Sequence, residues 1–327
     1  MPAWERVEGA RVMRWLAMLP TRRAAEGNAD DQVGLRATEE LIERELRAIG
    51  YVPVRWPFTH DPAAQRLAPA KANSPTALRW HNIIAEIPGS TLAHEVVILG
   101  AHFDAVPGSP GADDDGTGTA ALLELARVLK DQAPARTIRL AFFNGEEVGL
   151  VGSRSYAQAA HRAQRQGTKK VHAMLSLEML GFYCDEQGCQ VSPVPSIPGV
   201  FTAPTVGDFL GVATTKSHAW IGRTIEKSFA RVGTPAHPAV KILAPDFIPD
   251  LPLTPPDFLR SDHAPFLLLG MPAAMIGDTA NYRSPHYHKP SDTIATIDAA
   301  RFESAVRGVA ATALALANAP DFDAAPR

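Results

Sequence analysis

Three consecutive aspartates in a glycine-rich segment carry the strongest chemical signal in the chain. They occupy Asp113–Asp115, with Gly111 before them and Gly116 after them. Three adjacent carboxylates repel one another, which favours a bound cation among them. The apolar run Val96–Ala101 ends just upstream and is followed directly by His102. A buried strand over that run would deliver an imidazole to a sheet edge near the acidic segment.

Further acids and a second histidine follow other apolar runs. Glu146 and Glu147 come just after the run that ends at Phe143, Glu178 closes the next run, and His288 lies beyond the last one. In open α/β sheets, sites form beyond the carboxyl ends of the strands. Carboxylate oxygens and two imidazoles together suit zinc or a similar divalent ion. We therefore expect these side chains to meet at one sheet edge around metal.

Each of these residues also has a purely structural interpretation. Asp115 could cap the helix that follows it, and the pair Glu146 and Glu147 could be first-turn acids that complement a helix dipole. A single histidine such as His102 is more often structural than metal-bound. Glu178 fits this interpretation less well, since an unpaired carboxylate in an apolar strand is costly to bury. The recurrence of such residues at one end of the predicted sheet favours the metal site.

Alternating strands and helices predict the scaffold that positions these residues. Apolar runs predict strands at Tyr51–Phe58 (an edge strand), Trp80–Ile87, Val96–Ala101, Thr137–Phe143, Val171–Leu177, Phe209–Ala213 and Ala273–Ile276. Helical periodicity predicts helices at Thr38–Ile49, Thr117–Leu129, Leu150–Ala163, Ile221–Val232, Ala264–Leu269 and Arg301–Ala317. Thr59–Pro75 and Ala236–Pro256 are rich in proline and predict irregular structure. The pattern indicates a three-layer α/β/α fold with a central mixed, mostly parallel sheet, in a single domain over residues 1–327.

Composition excludes several classes of partner. The 327 residues carry a net charge of -3 with scattered basic residues, so we expect neither nucleic acid nor a membrane as partner. Glu5 and Glu8 interrupt the N-terminal apolar stretch, which argues against an export signal there. We expect a cytoplasmic protein, or a secreted or periplasmic one if a leader has been removed. Cys184 and Cys189 are close enough to form one small loop, and their redox state stays open.

The segments around these residues strongly resemble peptidase family M28, the zinc exopeptidases of the co-catalytic aminopeptidase type. The matching segments occur in family order and are Gly100–Asp104, Pro110–Gly118, Asn144–Leu150 with Gly152–Ser153, Ser261–His263, and Tyr287–His288 followed by Asp292–Thr293. The resemblance implies a zinc-dependent exopeptidase that hydrolyses peptide bonds with a metal-activated water. It also implies an aminopeptidase acting on peptide substrates, with a catalytic domain alone.

Carried over residue by residue, the resemblance assigns ligands to two zinc ions. It gives the first site His102 and Glu178, the second site Glu147 and His288, and makes Asp114 the ligand shared by both. His286 competes with His288 for the histidine position, but only His288 has the family spacing to Asp292. Asp113 and Asp115 would then be supporting acids.

The same resemblance implies roles for residues that bind no metal. Glu146 would be the general base and later the proton donor to the leaving amine. Tyr287 would donate to the developing oxyanion. Asp104 would hold the His102 ring by accepting its other N–H. A cis peptide bond is expected after Asp114.

One departure from the family pattern leaves alternatives open. The position of Glu178 is Asp in the best-known aminopeptidases of the family, and Glu there accompanies acylated or carboxypeptidase-type substrates in related enzymes. The alternatives are an exopeptidase or deacylase for acylated or C-terminal substrates, an animal-type glutaminyl cyclase, and a non-catalytic binding protein on the same scaffold. We expect Cys184–Arg260 to supply the specificity pocket, and Arg260, Asp262 and His263 to have scaffold or substrate-binding roles.

Overall fold

An eight-stranded sheet forms the centre of the computed structural model, which describes residues 1–60, 78–199, 201–232, 238–245 and 248–318. The strands are β1 Val54–His60, β2 Leu78–Ile87, β3 Leu92–His102, β4 Arg136–Phe143, β5 Lys170–Glu178, β6 Phe209–Ala213, β7 Lys241–Leu243 and β8 Ala273–Gly277. Their order across the sheet is β1-β2-β4-β3-β5-β8-β6-β7. The four central strands, β4, β3, β5 and β8, are parallel, whereas β1 and β2 pair antiparallel at one edge and β6 runs antiparallel to β8.

Helices cover both faces of the sheet and complete three layers. They are α1 Gly9–Met18, α2 Ala29–Ile49, α3 Gly118–Leu129, α4 Val151–Arg165, α5 Ala219–Val232, α6 Ala264–Leu268 and α7 Ala299–Asn318. The larger hydrophobic cluster joins one sheet face to α1, α2, α3, α5 and α7. The smaller cluster packs α4 and α6 against the opposite face. The predicted three-layer fold is confirmed.

The parallel register brings the predicted site residues to one edge. His102 ends β3 opposite Phe143, the last residue of β4, so the segment after β4 starts beside the imidazole. Glu178 ends β5 opposite Gly277, the last residue of β8. Chemistry-bearing side chains from distant parts of the sequence therefore converge at the carboxyl ends of four adjacent strands.

Several predicted element limits were wrong. Helix α2 begins at Ala29 rather than Thr38, because Asn28 and Asp31 form a reciprocal capping box that starts the helix within a polar stretch. β1 spans Val54–His60 rather than Tyr51–Phe58, so it includes the beginning of the predicted loop; residues 61–75 lie outside the described residues.

Two elements were missed altogether. The short strand β7 lies within the segment predicted to be irregular, where pairing with β6 holds it between prolines. Helix α1 was not predicted either, although it buries Val12, Trp15 and Leu16 against the core. Among the described helices, none is long and apolar enough to cross a membrane.

Candidate metal centre

His102, Asp114 and Glu178 form one half of the acidic cluster. Nε2 of His102 lies 3.2 Å from Oδ1 of Asp114 and 3.7 Å from Oε1 of Glu178. The other oxygen of Glu178 accepts a hydrogen bond from the Ser261 hydroxyl at 2.6 Å, which leaves Oε1 turned toward the imidazole. Two carboxylate oxygens therefore lie near the same imidazole nitrogen, and by distance alone His102 and Asp114 also group with Glu147.

His288 and Glu147 form the other half on the opposite side of the same aspartate. Nε2 of His288 lies 3.0 Å from Oδ2 of Asp114 and 3.2 Å from Oε2 of Glu147. The two oxygens of Asp114 thus face different histidines. A carboxylate with its oxygens divided in this way can contact two neighbouring cations.

Asp115 also lies within ligand distance of His102 and Glu178, but its oxygens already have partners. One oxygen accepts from the backbone N–H groups of Gly118 and Met179, each at 3.1 Å. The other accepts from the backbone N–H of His102 at 3.1 Å. Although Asp115 groups with His102 and Glu178 by distance alone, these bonds give it the geometry of a support for the end of β3 rather than of a ligand.

The loop that carries Asp114 is held from two further sides. Oδ1 of Asp113 accepts from the Thr117 hydroxyl at 3.0 Å and from the backbone N–H of Gly181 at 2.9 Å. The carboxylate of Asp292 accepts from the backbone N–H groups of Asp113 and Asp114 at 2.9 and 3.2 Å. The peptide bond between Asp114 and Asp115 is cis, as predicted.

Asp104 contacts His102 differently from the expectation. Nδ1 of His102 lies 3.1 Å from the backbone oxygen of Asp104, whereas the carboxylate Oδ1 is 3.6 Å away. The carboxylate instead accepts from the backbone N–H groups of Gly145, Glu146 and Glu147 at 2.9, 3.1 and 3.2 Å. Asp104 therefore fixes the segment after β4, and its carbonyl is the closer partner of the imidazole.

Electrostatics in the cluster favour added positive charge. Burial raises the pKa of Glu147 to about 7, and the negative charge on Asp114 adds to that shift. Burial alone would lower the pKa of His288, but hydrogen bonds with Asp114 and Glu147 raise that pKa to about 10. Burial alone would also lower the pKa of His102, but the negative charge on Glu146 is the main cause that raises that pKa above its ordinary value. In the metal-free protein, a proton on His288 supplies cationic charge at neutral pH.

Two buried ligand atoms indicate that this donor set fits a metal ion. Within the described residues, Nε2 of His102 and Oε1 of Glu147 are buried and make no hydrogen bond of normal geometry. A buried polar atom left in this way is costly. Coordination by a divalent ion would satisfy both atoms, and imidazole nitrogens with carboxylate oxygens are donors that zinc accepts.

Glu146 and Tyr287 line the open side of the cluster. Oε2 of Glu146 lies 4.0 Å from Nε2 of His102. Burial, together with the charges on Glu178 and Glu147, raises the pKa of Glu146. The Tyr287 hydroxyl accepts a hydrogen bond from Arg260 Nη2 at 3.0 Å, and the ring stacks on His288 with centroids 3.8 Å apart. Both side chains border a cavity of about 300 Å³ that Asp114, Glu147 and Glu178 also line.

A second, mainly apolar cavity of about 140 Å³ opens beside the first. Glu178, Arg260 and Tyr287 border both cavities. Apolar side chains form most of the remaining wall, namely Val191, Pro193, Val194, Phe201, Phe209, Val212, Leu243, Pro245, Phe258 and Met275. Most of these residues belong to the Cys184–Arg260 segment or to β6–β8, and Cys184 and Cys189 form a disulfide in the same region.

The remaining motif residues lie outside the ligand cluster. His286 points to the Ser291 hydroxyl, with Nδ1 to Oγ at 3.0 Å, and away from Asp114. His263 is buried and shares a hydrogen bond with the backbone oxygen of Phe258 at 2.8 Å, and burial lowers its pKa to about 4. Burial also raises the pKa of Asp262 to about 7. The contact of His263 suits a scaffold role, whereas both carboxylate oxygens of Asp262 are buried and make no hydrogen bond of normal geometry within the described residues.

Sequence reasoning assigned no role to two residues that shape the cluster. Ser261 orients Glu178 and also contacts the hydroxyl of Ser176 at 2.9 Å, and Asp292 holds the acidic loop. Both lie in segments that match the family pattern. The signal that could have drawn attention to them was their position in a motif, because their contacts depend on packing between distant segments.

Comparisons with known proteins identify the family of the chain. The model of peptidase family M28 matches residues 82–313. The chain is 32% identical over 222 residues to the uncharacterized protein YfbL of Escherichia coli K12, covering 65% of each protein. It is 31% identical over 231 residues to leucine aminopeptidase 1 of Arthroderma otae, covering 65% of this chain and 52% of the relative. The chain thus spans about half to two thirds of these relatives' lengths.

Solved structures share the fold at low sequence identity. The zinc aminopeptidase BSAP of Bacillus subtilis has a TM-score of 0.66 at 17% identity, covering 98% of this chain and 97% of that one. A glutaminyl cyclase of Fimbriiglobus ruber has a TM-score of 0.66 at 15% identity, with 95% and 96% coverage. At such identities the likeness establishes the fold alone.

Proposed function

Because the chain belongs to peptidase family M28, we propose that it is a zinc-dependent aminopeptidase that releases N-terminal residues from peptides. The main support is the position of Asp114, whose two oxygens face two different histidines. Two zinc ions sharing this carboxylate would account for that geometry. The proposed ligands are His102 and Glu178 for one ion, Glu147 and His288 for the other, and Asp114 for both.

Zinc in this position would polarise the scissile carbonyl and acidify a water molecule. Glu146 would take the proton from that water and deliver it to the leaving amine. Its carboxylate suits this task, because it borders the cavity and lies 4.0 Å from Nε2 of His102. Its neighbour Glu147 turns toward His288 instead, so the two adjacent acids would have different roles.

Tyr287 would stabilise negative charge on the substrate carbonyl oxygen by donating its hydroxyl proton in a hydrogen bond. Burial and the charges on Asp114 and Glu178 raise the pKa of Tyr287, so the hydroxyl keeps its proton at neutral pH. Arg260 donates a hydrogen bond to the hydroxyl oxygen of Tyr287, which leaves the hydroxyl hydrogen free to point into the cavity.

The apolar cavity supports a substrate with a large apolar N-terminal residue. It adjoins the ligand cluster along Glu178, so a side chain placed in it would have its own backbone beside the metal centre. Burial of a leucyl or phenylalanyl side chain there would contribute about 1.5–3 kcal/mol. We therefore expect leucine, methionine and phenylalanine to be preferred over small or charged residues.

Metal analysis and a substrate panel test this proposal together. The protein loaded with zinc should contain bound metal and hydrolyse leucyl anilides faster than alanyl anilides. Glu146→Gln should keep its metal and lose roughly 100-fold or more in kcat, because the amide cannot accept the proton. Near-normal turnover in Glu146→Gln would exclude Glu146 as the base.

Other outcomes would identify the rival functions. Turnover confined to acylated dipeptides or C-terminal substrates would indicate a deacylase or carboxypeptidase, which the glutamate at position 178 also suits. Cyclisation of N-terminal glutaminyl peptides without anilide hydrolysis would indicate a glutaminyl cyclase. Absence of both bound metal and turnover would contradict an enzymatic role.

A further inference from the structure

Arg23 is one of the largest fully buried side chains in the described part of the chain, with 1% of its surface exposed. It lies between α1 and α2, before the segment that matches the family model. Its sequence context, Thr21-Arg22-Arg23, is typical of an exposed basic pair. Burial of a guanidinium is costly unless its donors are satisfied, so this placement needs an explanation.

The guanidinium donates to backbone oxygens on both sides of the candidate metal centre. Nε donates to the backbone oxygen of Phe103, the residue after His102, at 2.8 Å. The terminal nitrogens donate to the backbone oxygens of Pro110 and Gly111, where the acidic loop begins. Arg23 thus joins the end of β3 to the start of the loop that carries Asp114.

Main-chain contacts hold Arg23 in place. Its backbone oxygen accepts from the N–H of Ala105 at 3.4 Å, and Ala24 forms a parallel β-bridge with Ala105. One terminal nitrogen also donates to the backbone oxygen of Pro20 at 3.0 Å. The side chain is therefore anchored independently of the acidic loop.

Arg23 and Asp292 bind complementary groups of that loop. Arg23 donates hydrogen bonds to the carbonyl oxygens of Pro110 and Gly111, whereas the carboxylate of Asp292 accepts hydrogen bonds from the backbone N–H groups of Asp113 and Asp114. Together they constrain the backbone on both sides of the shared ligand. The approach is close, since a Cβ added at Gly111 would lie 2.9 Å from the Arg23 guanidinium.

We infer that Arg23 is a positioning residue that preorganises the metal centre by fixing the distance between His102 and Asp114. The inference rests on the proposed metal centre. We attribute this positioning to the fork of hydrogen bonds that the planar guanidinium donates to the backbone oxygens. The positive charge of Arg23 has the opposite effect, because a buried cation near carboxylates would by itself disfavour binding of a second cation. Removal of charge alone should thus strengthen zinc binding, and loss of the fork should weaken it.

Lysine substitution separates these two effects. Arg23→Lys keeps the positive charge, but an ammonium cannot reproduce the planar fork that reaches carbonyls in several directions. We expect its zinc affinity, measured by competition with a fluorescent chelator, to fall about tenfold or more. Arg23→Met should also bind zinc more weakly than wild type, despite the loss of a repelling charge.

Arg136→Lys and Arg136→Met are matched controls. Arg136 is also fully buried, and it pairs with Glu95 at 2.6 Å at the start of β4, at the opposite end of the sheet from the site. These variants should lose thermal stability yet keep wild-type zinc affinity. If Arg23→Met does not fold, the two lysine variants alone decide the question.

Cobalt provides a readout that a merely destabilised fold would not change. The visible absorption of cobalt bound at the site reports ligand geometry, so its band should change in Arg23→Lys and remain as in wild type in Arg136→Lys. Wild-type zinc affinity in Arg23→Lys, or tighter binding in Arg23→Met, would overturn the inference while leaving the proposed function intact. A wild-type protein that binds no zinc would overturn both.

Discussion

At the residue scale, the acidic triplet divides into three different environments. Carboxylate oxygens of Asp113 and Asp115 accept hydrogen bonds from backbone N–H groups and from a hydroxyl, whereas each oxygen of Asp114 faces an imidazole. Burial would raise the pKa of Asp114, but its contacts with His102 and His288 outweigh burial and bring that pKa below its ordinary value. Neighbouring identical residues thus differ because of what packs against them.

Proton release should accompany zinc binding. Acidic neighbours raise the pKa of His288 to about 10, so this imidazole is protonated at pH 7 in the metal-free protein, and they also raise the pKa of His102. A ligand imidazole must be neutral and a ligand carboxylate ionised, so the apparent zinc affinity should rise with pH through the pKa of Glu147 at about 7 and up to about 10, by roughly tenfold per unit for each proton released. Calorimetric titrations of zinc in buffers of different ionisation enthalpy would count these protons.

His286→Gln is a matched control for that measurement, because His286 lies outside the cluster and should leave the proton count unchanged. His288→Gln should release fewer protons and bind less zinc. Zinc affinity that does not change between pH 6.5 and 8.5 would contradict the protonation of His288.

At the scale of elements, strands β6 and β8 form one side of the apolar cavity. Gly211 and Gly277 pair across the two strands, and the absence of a side chain at Gly211 leaves room in the cavity. A Cβ built at Gly211 would make only ordinary contacts, the nearest at 3.4 Å with Thr279. A longer side chain there would extend toward other residues of the cavity wall.

Gly211→Leu should therefore change substrate preference without loss of metal. We expect kcat/KM for leucyl and phenylalanyl anilides to fall about 10- to 200-fold relative to the alanyl anilide, because the added side chain occupies substrate space. Gly211→Ala, which adds only the Cβ, should stay close to wild type. An equal fall for all three substrates in Gly211→Leu would place the substrate side chain elsewhere.

At the scale of the whole molecule, the N-terminal segment packs onto the elements that carry the candidate metal centre. Besides Arg23, it supplies partners for Glu124, a fully buried carboxylate on α3. Glu124 accepts from the backbone N–H of Glu8 at 3.1 Å and from the indole N–H of Trp15 at 3.3 Å, and it also pairs with Arg127. These contacts attach α1 to the helix that follows the acidic loop.

Trp15→Phe should destabilise the protein without altering the metal centre. Loss of the indole N–H leaves a buried carboxylate oxygen with one donor fewer, which should cost about 1–3 kcal/mol in the free energy of unfolding. Chemical denaturation would measure the loss, and zinc affinity should be unchanged. Trp4→Phe, at a partly buried position of the same hydrophobic cluster, is the control and should lower the free energy of unfolding by less. An equal loss in both variants would mean that the hydrogen bond from Trp15 to Glu124 contributes little to stability.

The sequence by itself determined the fold class and the set of candidate ligands. Alternating apolar runs are a local signal, and in a parallel sheet they place the residues that follow them at one edge. His102, Glu178 and the pair Glu146 and Glu147 were predictable for this reason. The resemblance distinguished Glu147 from Glu146 and His288 from His286, and around Asp114 it added the cis bond and the shared-ligand role. Their roles as metal ligands stay proposals.

Only the tertiary structure decided which atoms meet. The closer approach of the Asp104 carbonyl to His102, the contact of Ser261 with Glu178 and the burial of Arg23 all join segments far apart in the chain. No local pattern distinguishes a buried arginine from an exposed one, because its burial depends on carbonyls that other segments present. Composition and spacing therefore identified the reactive groups, and packing between distant segments set their geometry.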